Sequence, residues 1–206
     1  MKRGPGTGIA TAAAAICLAG LWGCGMFSPR DPVSGGGPGA VCLTPTNALS
    51  VIQNVQANYG LEAGKTCYEQ MLDPVFVFHP DAADSIDAIP ANPNPYANWN
   101  RDVEVDSNSA LALNATFRSV VFDHEYATAS ISPDGRTQVR FYAYHLIVKA
   151  SLVPPPDTLF QGLADITLVR GATEQWSITT WVDHRDGSGL KSWGYVRRYI
   201  RIRQTP

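Results

Sequence analysis

No acidic residue precedes Asp31, and the N-terminal apolar run, Ile9 to Trp22, is only 14 residues long. A helix crossing a hydrocarbon core of about 30 Å needs about 20 apolar residues, so this run is too short to span a bilayer. Basic residues are not in excess. The 16 Lys and Arg stand against 18 Asp and Glu, a net charge of −2, which argues against nucleic acid as a partner. Histidine is scarce: His79, His124, His145 and His184 show neither His-x-His nor His-x-x-x-His spacing, and "DHEY" lacks the second histidine of a metalloprotease helix. No metal site is expected. A Gly-x-Ser-x-Gly elbow and a glycine-rich phosphate loop are missing too, and no cofactor is expected. No internal repeat is visible.

What the first residues do hold is the layout of an export signal. Lys2 and Arg3 supply a positive start, and the uncharged, Ala-rich run has the length of a signal-peptide core. Its end, Leu21-Trp22-Gly23-Cys24, resembles a bacterial lipobox, with Trp22 where a small residue is usual. That resemblance implies cleavage after residue 23 and acylation of Cys24, whose chains would hold the protein to a membrane at about 0.8 kcal/mol per buried methylene. Gly25 rather than Asp follows the cysteine, which in the enteric sorting pattern implies the outer membrane. The alternative is ordinary cleavage at a small-residue site, leaving Cys24 free or removed. Residues 24–42, including "GMFSPRDPVSGGGPGA", hold almost nothing to bury and read as a flexible tether. Residues 43–206 then make one domain large enough for a core of its own.

Losing Lys2 and Arg3 with residues 1–23 leaves 14 basic residues against all 18 acidic ones, a net charge of −4. Of the four cysteines, Cys17 goes with the signal and Cys24 is acylated, so Cys42 and Cys67 remain in an oxidising compartment. A helix from Pro45 to Tyr59 rises about 21 Å and a second returning past Cys67 retraces about 10 Å. Three extended residues span the remaining 11 Å or so at about 3.3 Å each, so a disulfide is feasible. Two separately buried thiols are the alternative.

Thr44-Pro45 has the form of a helix start, and apolar residues recur at Leu49, Ile52, Val55 and Tyr59, with Val51 beside them. Gly60 ends that helix. A second is expected within Leu61–Leu72, with Tyr68, Met71 and Leu72 on one side, stopped by Asp73-Pro74. "VFVFHP" reads as a strand, residues 81–98 as a loop, and Asn98 as the cap of a third helix. From about residue 115 the pattern turns to long strands at roughly 117–131, 136–150, 158–170, 174–184 and 192–203, expected as one antiparallel meander that bends strongly. Helices first and strands after is an α+β layout.

This order resembles the NTF2-like fold of the SnoaL-like and ketosteroid isomerase-like proteins. "NALSVIQNVQANY" is similar to the first helix of that group and "MLDPVFVFHP" to its following strand. "FQGLADITLVRGATEQWSITTWVDHR" is similar to its paired strands ending in a Trp and an acid. The resemblance runs over residues 45–203 and implies N-terminal helices packed on a strongly curved antiparallel sheet, enclosing a cone-shaped cavity. Fold alone does not give function.

In the isomerase pattern the general base directly precedes a proline, and His79-Pro80 occupies that place. His79 is therefore a candidate base, with a solvated strand-end histidine as the alternative. Asp165 in "GLADITLV" stands in a strand of the kind that carries the family's oxyanion donor. It faces opposite to Phe160, Ala164, Ile166 and Leu168, and alternation leaves open which set points into the cavity. The family's catalytic tyrosine would fall near Val55, which has no hydroxyl. Trp181, Asp183 and Tyr59 are the candidate ligand contacts. Asp183 has the alternative of pairing with Arg185 or Arg197. In "YVRRYIRIR" a strand puts Tyr199, Arg201 and Arg203 on one side and Val196, Ile200 and Ile202 on the other, a solvated face with anionic membrane attraction as its functional alternative. Tyr142, Tyr144 and Trp193 read as core or interface aromatics.

The chain thus reads as a lipid-anchored cell-envelope protein with an NTF2-like domain, a non-enzymatic module for a small apolar ligand or a scaffold that dimerises through its sheet. The alternative is a SnoaL-like enzyme using His79 to remove a proton next to a carbonyl. If His79, Asp165 and Asp183 line one closed cavity within about 8 Å, the enzyme is favoured.

Overall fold

Asn47, not Thr44, opens the first helix. Its side-chain oxygen accepts from the Ser50 amide (2.9 Å) while Ser50 Oγ accepts from the Asn47 amide (3.2 Å), a reciprocal cap. Pro45 is diverted from helix formation because its carbonyl accepts from the Trp176 amide at the start of a distant strand (2.8 Å). The structure is a computed structural model describing residues 41–88, 94–150 and 158–204. The signal, Cys24 and the tether up to residue 40 lie outside the described residues.

Helix α1 (Ala48–Asn58) buries Val51, Ile52 and Val55, with Tyr59 directly after it, while Leu49, expected in that stripe, is 51% exposed. Helix α2 is shorter than expected, Lys65–Gln70, and buries Cys67 and Tyr68. Strand β1 (Leu72–His79) follows. The stretch read as a loop contains helix α3 (Ala82–Ala88), capped by Asp81, whose carboxylate accepts from the Ala83 amide (2.7 Å). Helix α4 (Arg101–Asn114) is capped by Asn100 rather than Asn98, which instead turns the chain at φ +53°.

The strands are β2 (Ala115–Glu125), β3 (Ser130–Ile131), β4 (Thr137–Ala150), β5 (Thr158–Arg170) and β6 (Trp176–His184). They form a six-stranded mixed sheet in the order β1-β6-β5-β4-β2, with β3 on β4. β1 runs parallel to β6, correcting the all-antiparallel expectation, and the other pairs are antiparallel. Register shifts at Phe122/His124 and Thr167/Leu168 bend the sheet. Gly162 lies beneath Tyr144: a Cβ there would stand 2.6 Å from the Tyr144 hydroxyl.

The fifth long strand does not exist. Residues Trp193–Gln204 form helix α5, which packs against α3, α4 and β5 and buries Trp193, Val196, Arg197 and Ile200. Val196 and Ile200 suit either period. The helix prevails because β1 already occupies the edge of β6 on which a strand from 192–203 would have added.

Cys42 and Cys67 are joined by a disulfide, with Cα atoms 5.6 Å apart and 25 residues of separation. The same N-terminal segment is held by Asn54, which accepts from the Leu43 amide (2.8 Å) and donates to its carbonyl (2.7 Å). For a closed loop of this size, chain entropy puts the cross-link's contribution at about 3.5 kcal/mol. Replacing both cysteines by serine is expected to lower the unfolding free energy by that amount, read by urea denaturation at constant pH.

Candidate functional site

Along β6, Trp181 and Asp183 share the helix-covered face of the sheet, while Val182 and His184 share the other. This inner face is where a cone would hold a guest. Among the described residues it is packed with buried side chains from the helices and from neighbouring strands.

At its centre is a buried ion pair that neither the motif nor the composition revealed. Glu104 of α4 and Arg197 of α5 are each 1% exposed. Arg197 Nε donates to both carboxylate oxygens (3.1 and 2.9 Å) and Nη2 to Oε1 (3.0 Å). The Tyr68 hydroxyl and Trp99 Nε1 each add a bond of 2.7 Å to Glu104. The guanidinium carbon lies 4.2 Å from the Phe78 ring centre and 4.6 Å from that of Trp181. Burial opposes the charge on Arg197, but the facing carboxylate of Glu104 overrides it and holds the guanidinium ionised. Burial, reinforced by Glu104, raises the Tyr68 hydroxyl well above its ordinary range, and Tyr59 is raised chiefly by burial. Both stay neutral phenols.

A second polar layer fastens the start of α5. The Trp193 amide donates to the Tyr144 hydroxyl (2.7 Å), the Gly194 amide to Asp183 Oδ2 (2.6 Å), and the Tyr144 hydroxyl to Asp183 Oδ1 (2.6 Å). Ser192 Oγ donates to Asp84 of α3, which also accepts from Arg185 Nε (3.0 Å). Asp183 is therefore bound by a phenol and a helix amide, Arg197 being committed to Glu104. Burial raises its carboxyl from 3.8 to about 6, against the lowering influence of Arg197 and its hydrogen-bond donors.

The three residues singled out for chemistry do not line one closed cavity: His79 and Asp165 flank Val182 on the outer face of the sheet, and Asp183 is on the inner face. His79 is exposed at the end of β1, on the rim of an open cleft of about 520 Å³ lined also by Val77, Phe78, Tyr96, Asn98, Trp99 and Asn100. Asp165 sits opposite Val182 on the outer face of the sheet, accepting from the Tyr126 hydroxyl, with His184 Nε2 3.2 Å from its Oδ2. Asp183 lies on the inner face, opposite Ala164. The outward placement of Asp165 follows from Phe160, Ala164, Ile166 and Leu168 packing inward. Tyr59 and Trp181 are fully buried against Trp193. Among the described residues no group of three or more His, Cys, Asp or Glu is placed to hold a metal ion.

Glu104 and Arg197 did leave a signal in the sequence. Glu104, Asn108 and Leu111 fall four and three apart on the buried side of α4, and Trp193, Arg197 and Ile200 repeat that spacing on α5. One charge of each sign embedded in an otherwise buried helical stripe points to a buried pair.

Removing one partner of such a pair strands the other charge, so Glu104→Gln is expected to cost about 3 to 5 kcal/mol, and Glu104→Leu combined with Arg197→Met distinctly less. Denaturant unfolding of the three chains checks the order. For Asp183, the folded pKa lies above the ordinary 3.8, so the folded chain binds the extra proton. Stability from this group is highest below about pH 4 and falls as pH rises through 6, by about 3 kcal/mol in all. Asp183→Asn should remove that part of the pH dependence. Parallel stability profiles of the two chains between pH 4 and 7 would rule Asp183 out as its source.

No family model matches the chain, and no curated protein matches it in sequence. Solved structures do resemble it. A proposed aromatic ring hydroxylase from Novosphingobium aromaticivorans superposes with a TM-score of 0.51 at 8% identity, over 67% of this chain and 85% of that one. A protein of unknown function from Mycobacterium tuberculosis gives 0.50 at 8% identity, over 76% and 84%. An NTF2-like superfamily protein from Salmonella enterica gives 0.43 at 13% identity, over 69% and 98%. At these identities the likeness concerns architecture alone. With helices packed on a bent mixed sheet, this chain has the α+β cone of the NTF2-like fold.

Proposed function

We propose that this protein is a lipid-anchored scaffold of the cell envelope whose NTF2-like domain works through its outer sheet face, as a homodimer, and not through chemistry inside the cone. One observation carries the reading: Trp193 and Arg197 of α5 fill the inner face, and every carboxylate there is engaged by donors of the chain itself. A guest in the cone would have to displace a buried ion pair, leaving two charges without compensation. The enzyme alternative draws no support from His79, which is exposed at the strand end on the outer face of the sheet, while Asp183 lies on the inner face.

The outer face offers the contrasting surface. Val121, Phe141, Leu163 and Val182 point outward from four neighbouring strands and are half-buried, and Val77 on β1 is exposed. Around them His184 meets Asp165 and His145 meets Asp123, giving apolar ground with a polar surround of the kind interfaces use. Anchoring rests on Leu21-Trp22-Gly23-Cys24 and on the tether, which leads into a segment stapled to the domain by the disulfide.

Light scattering on the unlipidated Cys24→Ser chain is expected to give twice the monomer mass, and Leu163→Glu the monomer mass with little change in melting temperature. A wild-type monomer would overturn the scaffold, and a small molecule copurifying in native mass spectra would overturn the closed cone. Mass analysis of the N-terminus tests acylation of Cys24 separately.

A further inference from the structure

Trp193 sits in its surroundings as a bound ligand would. Four rings from four separate elements enclose it: Tyr59 after α1 with centroids 4.6 Å apart, Trp181 of β6 at 4.8 Å, Tyr144 of β4 at 5.3 Å and Phe122 of β2 at 6.1 Å. Tyr59, Trp181 and Tyr144 meet it edge to face, at 80°, 77° and 64°. The indole is fully buried.

The walls have contacts of their own besides those to the indole. Tyr59 is braced by Tyr68 (5.6 Å), Trp181 by Phe122 (6.0 Å) and by the Arg197 guanidinium, and Tyr144 by Asp183. Trp193, by contrast, is the first residue of the last helix. The strong polar contacts there are made by backbone amides of Trp193 and Gly194 on Tyr144 and Asp183, and deleting the side chain leaves those amides in place. Gly194 allows this approach, since a Cβ there would stand 3.1 Å from Asp183 Oδ2.

We propose that Trp193 is an intramolecular ligand: the cone is a preformed cage for one planar bicyclic aromatic group, kept filled by the indole of the chain's own last helix. The reading rests on the closed cone described above and names what the closed cone is shaped to hold. The guest it selects is uncharged, because Glu104 and Asp183 are both saturated with donors. It is also electron-rich, because the Arg197 guanidinium lies 5.1 Å from the Trp193 ring centre. A buried tryptophan without such a ring cage among the described residues, Trp176, supplies the comparison, because a truncation cavity alone can also stay open.

The test is rescue by free indole in the full chain carrying Trp193→Ala, with Trp176→Ala as control. Trp176 is also buried but makes no ring contact among the described residues. Each truncation is expected to lower the melting temperature by about 10 °C. Indole should restore at least half of that loss in Trp193→Ala, saturably and at one site by calorimetric titration, and none of it in Trp176→Ala or the wild type. Trp193→Val is carried alongside in case the alanine variant does not fold, and the same recovery is expected of it. Absence of rescue in both Trp193 variants, or equal rescue of Trp176→Ala, would overturn the proposal. Neither result bears on dimer formation or on acylation, which the wild-type measurements decide.

Discussion

The interior is organised around the buried ion pair of Glu104 and Arg197. Two charges at 1% exposure are tolerable only when they are paired and hydrogen-bonded. The carboxylate accepts from Arg197, Tyr68 and Trp99, and the guanidinium lies against aromatic faces. These bonds are directional, so they position α5 against α4 and set its rotation. Once Arg197 faces Glu104, Trp193, one turn earlier, points between Tyr59, Trp181 and Tyr144.

That placement makes the start of α5 a problem of its own, since the first amides of a helix have no partners within it. Tyr144 and Asp183 supply acceptors for two of them, and Asp84 takes the Ser192 hydroxyl. The carboxylate raised to about 6 is the result of seating such an acceptor in the core. Among the described residues the inner face of the sheet is thereby packed against the chain's own last helix. Architecture shared with other cones says nothing against this, because sites are grafted onto folds.

Much of the fold was legible from spacing. Val51, Ile52, Val55 and Tyr59 declare α1, and the alternation through Tyr142, Tyr144, Leu146 and Val148 declares β4. The NTF2-like order of elements could be recognised because it is carried by many weak signals in sequence. α5 reads as a strand because Val196, Ile200 and Ile202 alternate, although Trp193, Arg197 and Ile200 carry the helical spacing as well. In the structure Ile202 is exposed and Arg197 is buried, the reverse of the strand pattern. The candidate site was read least well. His79 and Asp165 were singled out by analogy of position, while Glu104 and Asp84, which shape the interior, stood in stretches that looked solvated.

By itself the sequence determined the helical and extended periods of most segments, the residues available to be buried, and that Cys42 and Cys67 lay within reach of one another. Periodicity and reach are properties of the local chain. Only the tertiary structure decided which face of each strand turned inward, that β1 took the free edge of β6, and that the last segment coiled into the cone. Those outcomes depend on partners distant in sequence competing for one edge and one volume: β1 at residues 72–79 for the edge, Glu104 for the charge of Arg197.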